Sequence, residues 1–361
     1  MTRLKLPAVL LLILHVAIAV PFERRNRRNS HRKPGSGDVP GLPKGTPQVH
    51  GLATNWTITA HPNSRVLVTS GVSVPGSVVS TLQYYARLAS VAYCGVGSPG
   101  SQLTCGSYCS FFPNTTVVTT FNTAKTTTIG FVARDDRNRA IIIAYHGSSY
   151  LTQFIQDAKF FKVDYPPANG TKIHKGFFEC FQDSHSSVYD TVVNQVKQYP
   201  DYKLVLAGHS LGGALAVLQA MDFYQNEGYD NSKMIVYTYG QPRIGNDAFS
   251  SYVDSLGLSI YRVINQNDII PHYPPSPFNY KHHGTEYWID DDQGDVVVCT
   301  IDEDKTCADS VVPRTSIPAH TLYWEQHPSL LSNALIQFLL FTDSIKLGSS
   351  TCNSSSARIS Q

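Results

Sequence analysis

Charge is scarce in this chain: 16% of its 361 residues are Asp, Glu, Lys or Arg, against 42% apolar. Ordinary globular domains run at about 25% charged, and this balance excludes a solvated, disordered polymer. Basic residues are scarcest in the body. Residues 1–60 hold nine Lys/Arg and two Asp/Glu, which leaves 20 basic and 25 acidic residues beyond them. No basic footprint for nucleic acid exists there, so no nucleic-acid partner is expected. A bilayer-spanning run is missing as well. Leu6 to Val20 is apolar, interrupted by Pro7 and His15, and is shorter than the about 20 residues a spanning helix needs, so no transmembrane anchor is expected. Internal repeats are absent. The His and Cys spacings match no metal site, and no Gly-rich loop could cradle a phosphate, so neither metal nor cofactor is expected.

The N-terminal run has a different reading. Met1-Thr2-Arg3-Leu4-Lys5 is a short basic region, the apolar run follows, and Ala17-Ile18-Ala19 offers small residues for cleavage. This predicts a secretory signal over residues 1–19. Residues 20–66 begin with a basic stretch rich in Pro and Gly, with dibasic pairs at Arg24-Arg25, Arg27-Arg28 and Arg32-Lys33. Such a stretch cannot bury enough surface to fold alone and is expected to be a propeptide or disordered arm. Sequons at Asn55, Asn114, Asn169 and Asn353 agree with an extracellular location. Seven cysteines, Cys94, Cys105, Cys109, Cys180, Cys299, Cys307 and Cys352, suggest three disulfides and one free thiol in a secreted chain. Their spacing does not fix the pairing.

Residues 67–361 form the expected catalytic domain. Val78, Val79, Leu82, Tyr85, Ala86 and Ala89 recur at helical spacing. Strand-like runs follow at 117–121, 127–133 and 140–145. A helix marked by Val188, Val192, Val193 and Val196 stops before Pro200. Then come a strand at 203–207, a helix at 211–225, a strand at 234–239, a helix at 248–256, and strands at 260–265, 286–289 and 296–300. Strands alternating with helices predict an α/β fold with a mostly parallel central sheet.

The chemistry is concentrated in Gly208-His209-Ser210-Leu211-Gly212, set between an apolar strand and a helix. In a nucleophile elbow the serine is held at a sharp strand-to-helix turn, and glycine is needed two residues before and after it because side chains there would clash. The helix start supplies N–H groups and a positive dipole end for a developing oxyanion. Such a serine needs a histidine base and a carboxylate that orients it, following in the order Ser, Asp, His. Asp268 lies just past the strand 260–265, in "INQNDIIPHYPP". Five histidines follow it: His272, His282, His283, His320 and His327. Topology favours His320, beyond the last strand, without excluding the others. His209, adjacent to the serine on a sharp turn, points away from it and is expected to pack or hydrogen-bond under the elbow.

Several blocks in one order carry a resemblance: "YHGSS" at 145–149, "VDYPPANGTKIHKGFFE" at 163–179, "VLAGHSLGGAL" at 205–215, "YTYGQPRIGNDAF" at 237–249, "RVINQNDIIPHYPP" at 262–275 and "HGTEYWI" at 283–289. Across about residues 68–325 the sequence resembles the class 3 lipases, which include zygomycete mould triacylglycerol lipases and feruloyl esterase relatives. The resemblance implies an α/β-hydrolase fold with helices on both faces of the sheet and the triad Ser210, Asp268 and His320. It also implies an oxyanion hole at Ser148 and Leu211. His146 stands where the family usually has Arg. Residues 150–161 would be a lid, with Leu151, Phe154 and Ile155 on its apolar face. The implied disulfides are Cys94–Cys352, Cys105–Cys109 and Cys299–Cys307, with Cys180 free.

These readings lead to a secreted serine esterase that cleaves triacylglycerols through an acyl-enzyme, its partner being a lipid–water interface. One alternative keeps the chemistry but acts on feruloyl-type esters of plant cell walls. Another is a non-catalytic secreted binding protein on a hydrolase fold, against which the intact triad argues.

Overall fold

The computed structural model describes residues 71–148, 160–290, 294–312 and 316–324. Residues 150–159 of the expected lid, Asn55, Asn353, Cys352, His327 and the expected signal and propeptide lie outside these residues. Strand β4 (Ala140–Tyr145) and β8 (Met234–Tyr239) are buried at every position. Strands buried on both faces belong in the middle of a layered α/β fold. Here β4, β7 (Lys203–His209), β8, β9 (Ile260–Asn265) and β10 (Glu286–Ile289) run parallel as neighbours. Antiparallel strands close both edges. On one side are β3 (Ile129–Asp135) and β2 (Thr115–Asn122), and on the other β11 (Val296–Cys299) and β1 (Val72–Ser73).

Side-chain alternation along the strands feeds two cores. Ile142 and Ala144 share one face with Val205, Ala207 and Val263, covered by Leu82 and Leu88 of α1 (Gly76–Val91). Ile141 and Ile143 face the other way, where Val188 and Val192 of α2 (Lys175–Gln198) and Leu215 and Leu218 of α3 (Leu211–Glu227) pack. Phe249 and Val253 of α4 (Asp247–Ser255) join that second core. A short hairpin, β5 (Lys162–Asp164) with β6 (Lys172–His174), stands apart from the main sheet.

Most expected boundaries hold within a few residues. Thr127, expected at the start of a strand, lies in a turn with φ +51° and its N–H bonded to Thr123 O. Helix α2 begins at Lys175, well before its valine stripe, because His174 Nδ1 accepts from the N–H groups of Gly176 and Phe177 and caps it. The register decides where the site lies. Tyr145 pairs with Gly208, His209 with Tyr239, and Tyr239 with Val263, so the C-terminal ends of β4, β7, β8 and β9 share one edge of the sheet.

Candidate active site

At that edge β7 turns directly into α3, and Ser210 is the hinge, with φ 57° and ψ −129°. A non-glycine residue held there costs about 1–3 kcal/mol and persists only where its surroundings over-determine it. They do so here. A Cβ on Gly208 would overlap the backbone of Gly212 and Gly213, and one on Gly212 would overlap the carbonyl of Tyr145. The turn therefore closes only with glycine at both positions.

Asp268 and His320 are brought together by the end of β9. Asn265 Nδ2 donates to the carbonyls of Ala319 (3.0 Å) and Leu322 (2.6 Å), gripping α5 (Ile317–Thr321) at its C-terminal end. Ser316 Oγ caps the other end by accepting from Ala319 N–H at 2.9 Å. His320 Nδ1 then lies 3.0 and 2.9 Å from the two Asp268 oxygens. Two further donors hold that carboxylate: the Ile270 N–H at 2.8 Å to Oδ1 and the Tyr323 hydroxyl at 2.9 Å to Oδ2. Burial, with Asp268 beside it, pushes the Tyr323 phenol well above its ordinary range, so it stays a donor. Facing a carboxylate, His320 Nδ1 carries the proton, and Nε2 is left with its lone pair.

Ser210 and His320 are both buried. Among the described residues neither Ser210 Oγ nor His320 Nε2 has a hydrogen-bond partner. Such bonds are commonly loose until substrate is bound. A hydroxyl on a strained elbow and an unpartnered imidazole nitrogen backed by a carboxylate are the components of general-base nucleophilic attack. The loop after β4 completes the arrangement. A Cβ on Gly147 would meet His209 O at 3.0 Å and Ser210 Cβ at 3.1 Å, so this loop, with Ser148 next in it, runs directly against the elbow. Leu211 opens α3, where the dipole favours negative charge.

The three other candidate histidines among the described residues are engaged elsewhere. His282 Nε2 donates to Pro271 O at 2.7 Å, His283 Nε2 lies 3.0 Å from Gln241 Nε2, and His272 Nδ1 is 3.4 Å from Asp309. Cys105–Cys109 and Cys299–Cys307 are disulfides. The pairing of Cys94 with Cys352 falls outside the described residues. Among those residues one grouping has metal-ligand spacing, Glu286 with Cys299 and Cys307, but both sulfurs are tied up in the disulfide. Asn114 and Asn169 are exposed, each in a turn. Tyr93, Gly240 and Tyr323 were not singled out by the sequence. Tyr323 and Gly240 touch the Asp268–His320 pair, yet nothing local in the sequence marks either.

The sequence profile of the family described as Lipase (class 3) matches residues 142–278, a span that includes the elbow and Asp268. The lipase of Rhizomucor miehei is 39% identical over 293 residues, covering 78% of this chain and 79% of that protein. A solved structure described as "a serine protease triad forms the catalytic centre of a triacylglycerol lipase" is 40% identical with a TM-score of 0.68, covering 72% of this chain and 99% of that one. A native Rhizomucor miehei lipase propeptide complex is 37% identical with a TM-score of 0.67, covering 78% and 89%. Agreement of sequence and fold along most of both chains makes this protein an α/β-hydrolase that belongs to the class 3 lipase family.

Proposed function

We propose that this chain is a secreted serine esterase that hydrolyses triacylglycerols at a lipid–water interface, with Ser210, His320 and Asp268 as its catalytic residues. One observation carries the reading: His320 Nδ1 set within 3.0 and 2.9 Å of the two Asp268 oxygens, with Ser210 strained at the head of α3. Ser210 Oγ attacks the ester carbonyl carbon and its proton passes to His320 Nε2. The N–H groups of Ser148 and Leu211 stabilise the tetrahedral oxyanion. His320 returns the proton to the departing alcohol oxygen, leaving an acyl-enzyme. Water, deprotonated by His320, then attacks the acyl carbon, the bond from that carbon to Ser210 Oγ breaks as His320 returns the proton to Oγ, and the carboxylic acid is released.

Several features support the finer parts of this reading. The named relatives are lipases, one of them a triacylglycerol lipase. Two disulfides suit an oxidising compartment, and residues 1–19 have signal-peptide character. A related lipase has been solved with its propeptide, which favours residues 20–66 as a pro-segment. Where the chain emerges from the lid segment, Phe161 is 67% exposed, and Phe278 beside Phe160 is 54% exposed. This apolar rim is suited to an oil surface.

The test is fluorophosphonate labelling followed by peptide mapping, with tributyrin, triolein and methyl ferulate as substrates. The label should sit on Ser210. Ser210→Ala should lower ester hydrolysis by about 10⁴-fold or more while the protein still folds. Label on another residue would sink the nucleophile assignment. Turnover of methyl ferulate with none of triolein would move the substrate class to the feruloyl esters.

A further inference from the structure

We infer that Tyr93 and His209 act together as positioning residues, forming one hydrogen-bonded line that sets the spacing between the oxyanion loop at Gly147-Ser148, the elbow and the backbone of His320. The inference rests on the reading of Ser210 and His320 given above. The line has three bonds. Gly147 N–H donates to Tyr93 Oη at 3.1 Å, Tyr93 Oη is 2.7 Å from His209 Nδ1, and His209 Nε2 is 2.7 Å from the carbonyl oxygen of His320.

Its two ends fix every proton. A peptide N–H can only donate, and a peptide carbonyl can only accept. His209 Nε2 must therefore carry hydrogen. Burial, and then the nearby His320, lower the His209 pKa well below its ordinary value, so the ring is neutral and holds a single proton. Nδ1 is left as an acceptor, and the Tyr93 hydroxyl must point at it. The ring centroids of His209 and His320 are 4.4 Å apart. A neutral, fully engaged His209 thus cannot compete for the Ser210 proton when His320 takes it up.

The line has no slack. Tyr93 follows α1 and is held there by its N–H to Ser90 O at 3.0 Å. The His146 ring lies against it at 4.0 Å between centroids. A Cβ on Gly147 would overlap Tyr93 Oη, so only glycine lets the main chain reach it. His209 is bonded through the peptide to Ser210, so a shift at either end moves the nucleophile relative to its base and its oxyanion donors. The residue next to the serine, often no more than packing, here connects three parts of the site.

The experiment measures kcat and KM on a short soluble ester, per active site titrated with a fluorophosphonate, for Tyr93→Phe, His209→Asn and His209→Gln. Tyr93→Phe keeps the ring and removes the hydroxyl. His209→Asn keeps a partner for Tyr93 alone, and His209→Gln one for the His320 carbonyl alone. Each should lower kcat per titrated site about tenfold, the loss of one hydrogen bond's worth of alignment, with KM within about twofold. The Tyr93→Phe/His209→Gln double variant should be no worse than the poorer single, as for residues acting in one unit. A kcat per titrated site within about twofold of wild type in Tyr93→Phe, or in both His209 variants should Tyr93→Phe not fold, would overturn the inference and leave these residues as packing only. Ser210→Ala and His320→Ala are measured alongside. Activity surviving in those would instead overturn the triad reading.

Discussion

At the scale of single residues, the Asp268–His320 pair is shaped as much by a missing side chain as by its hydrogen bonds. Gly240 follows β8 with φ +58°, and a Cβ there would sit 2.7 Å from His320 Cε1 and Nδ1 and 2.8 Å from Asp268 Oδ2. Both side chains are buried, so the imidazole would have to move. A displacement of about 1 Å at a reacting group can cost on the order of 10²-fold in rate, and Gly240→Ala should lower kcat by about that factor. Gly228, with φ +68° and nothing within 4 Å, is the control. Gly228→Ala should weaken stability by about 1 kcal/mol through backbone strain alone and leave kcat unchanged. Equal kcat values for the two variants would place the chemistry away from this pair. The sequence made residues legible unevenly at this scale. Ser210 announces itself through flanking glycines, and Asp268 through its place after a strand. His320 was one of five histidines beyond Asp268, because what selects it is the pair of bonds from Asn265 to Ala319 and Leu322, more than fifty residues away in sequence. Gly240 and Tyr323 carry no local signal, since their roles exist only once β8 and α5 meet.

At the scale of elements, the junction of β7 and α3 was the most legible part of the chain, and its rigidity can be tested. The atoms that a Cβ on Gly208 or Gly212 would strike are backbone, and those backbones belong to hydrogen-bonded neighbours in the sheet and the helix. No rotamer change can relieve the overlap. Gly208→Ala and Gly212→Ala should each cost about 3 kcal/mol or more, seen as a lower denaturation midpoint and less soluble protein. Gly213→Ala should be milder, since the nearest atoms stand farther off, Thr238 Cβ at 3.1 Å and Gln241 Cβ and the Gly208 carbonyl oxygen at 3.2 Å. Wild-type midpoints for the first two would mean the elbow is looser than its geometry requires. Other elements were less readable, for physical reasons. Strands β5, β6 and β1 have two or three residues each, too few for a periodic pattern to stand out. The N-terminal half of α2 has no valine stripe, and its start depends on a histidine cap rather than the usual Ser, Thr, Asp or Asn. The central parallel strands β4, β7 and β8 were legible because burial on both faces leaves continuous apolar runs.

At the scale of the whole molecule, the mild acidity of the body could be counted from the sequence, but its consequence for stability could not. Arg243 grips Glu303 and Arg262 meets Glu286 across 60 and 24 residues. Against this buried charge lie His282 and His283, and His209 sits under the elbow. All three are held below their ordinary pKa, first by burial, with His283 driven down to about 3. Charging His282 would place a proton on Nδ1, buried without a partner among the described residues. The sign follows from linkage. Below pH about 6.5 the unfolded chain takes up a proton at each of these histidines and the folded chain does not, so stability is full above that pH and is lost as pH falls. Asp254 opposes this. Burial and then Asp302 push it up to about 6, so between that pH and its unfolded range the folded chain holds one proton more. Three histidines held low against one carboxylate held high leave the unfolded chain with more protons than the folded chain as pH falls from 7 toward 5, so the net effect is destabilising. His146, which is lowered, and His185, raised by Asp222, act in opposite senses. Denaturant titrations between pH 7 and 5 should therefore show steep acid destabilisation that begins before the ordinary carboxylates protonate. His283→Asn should reduce the slope by about one proton. A stability flat across this range would mean that these histidines take up protons inside the fold, and the proton assignment along the Tyr93–His209 line would fall with it.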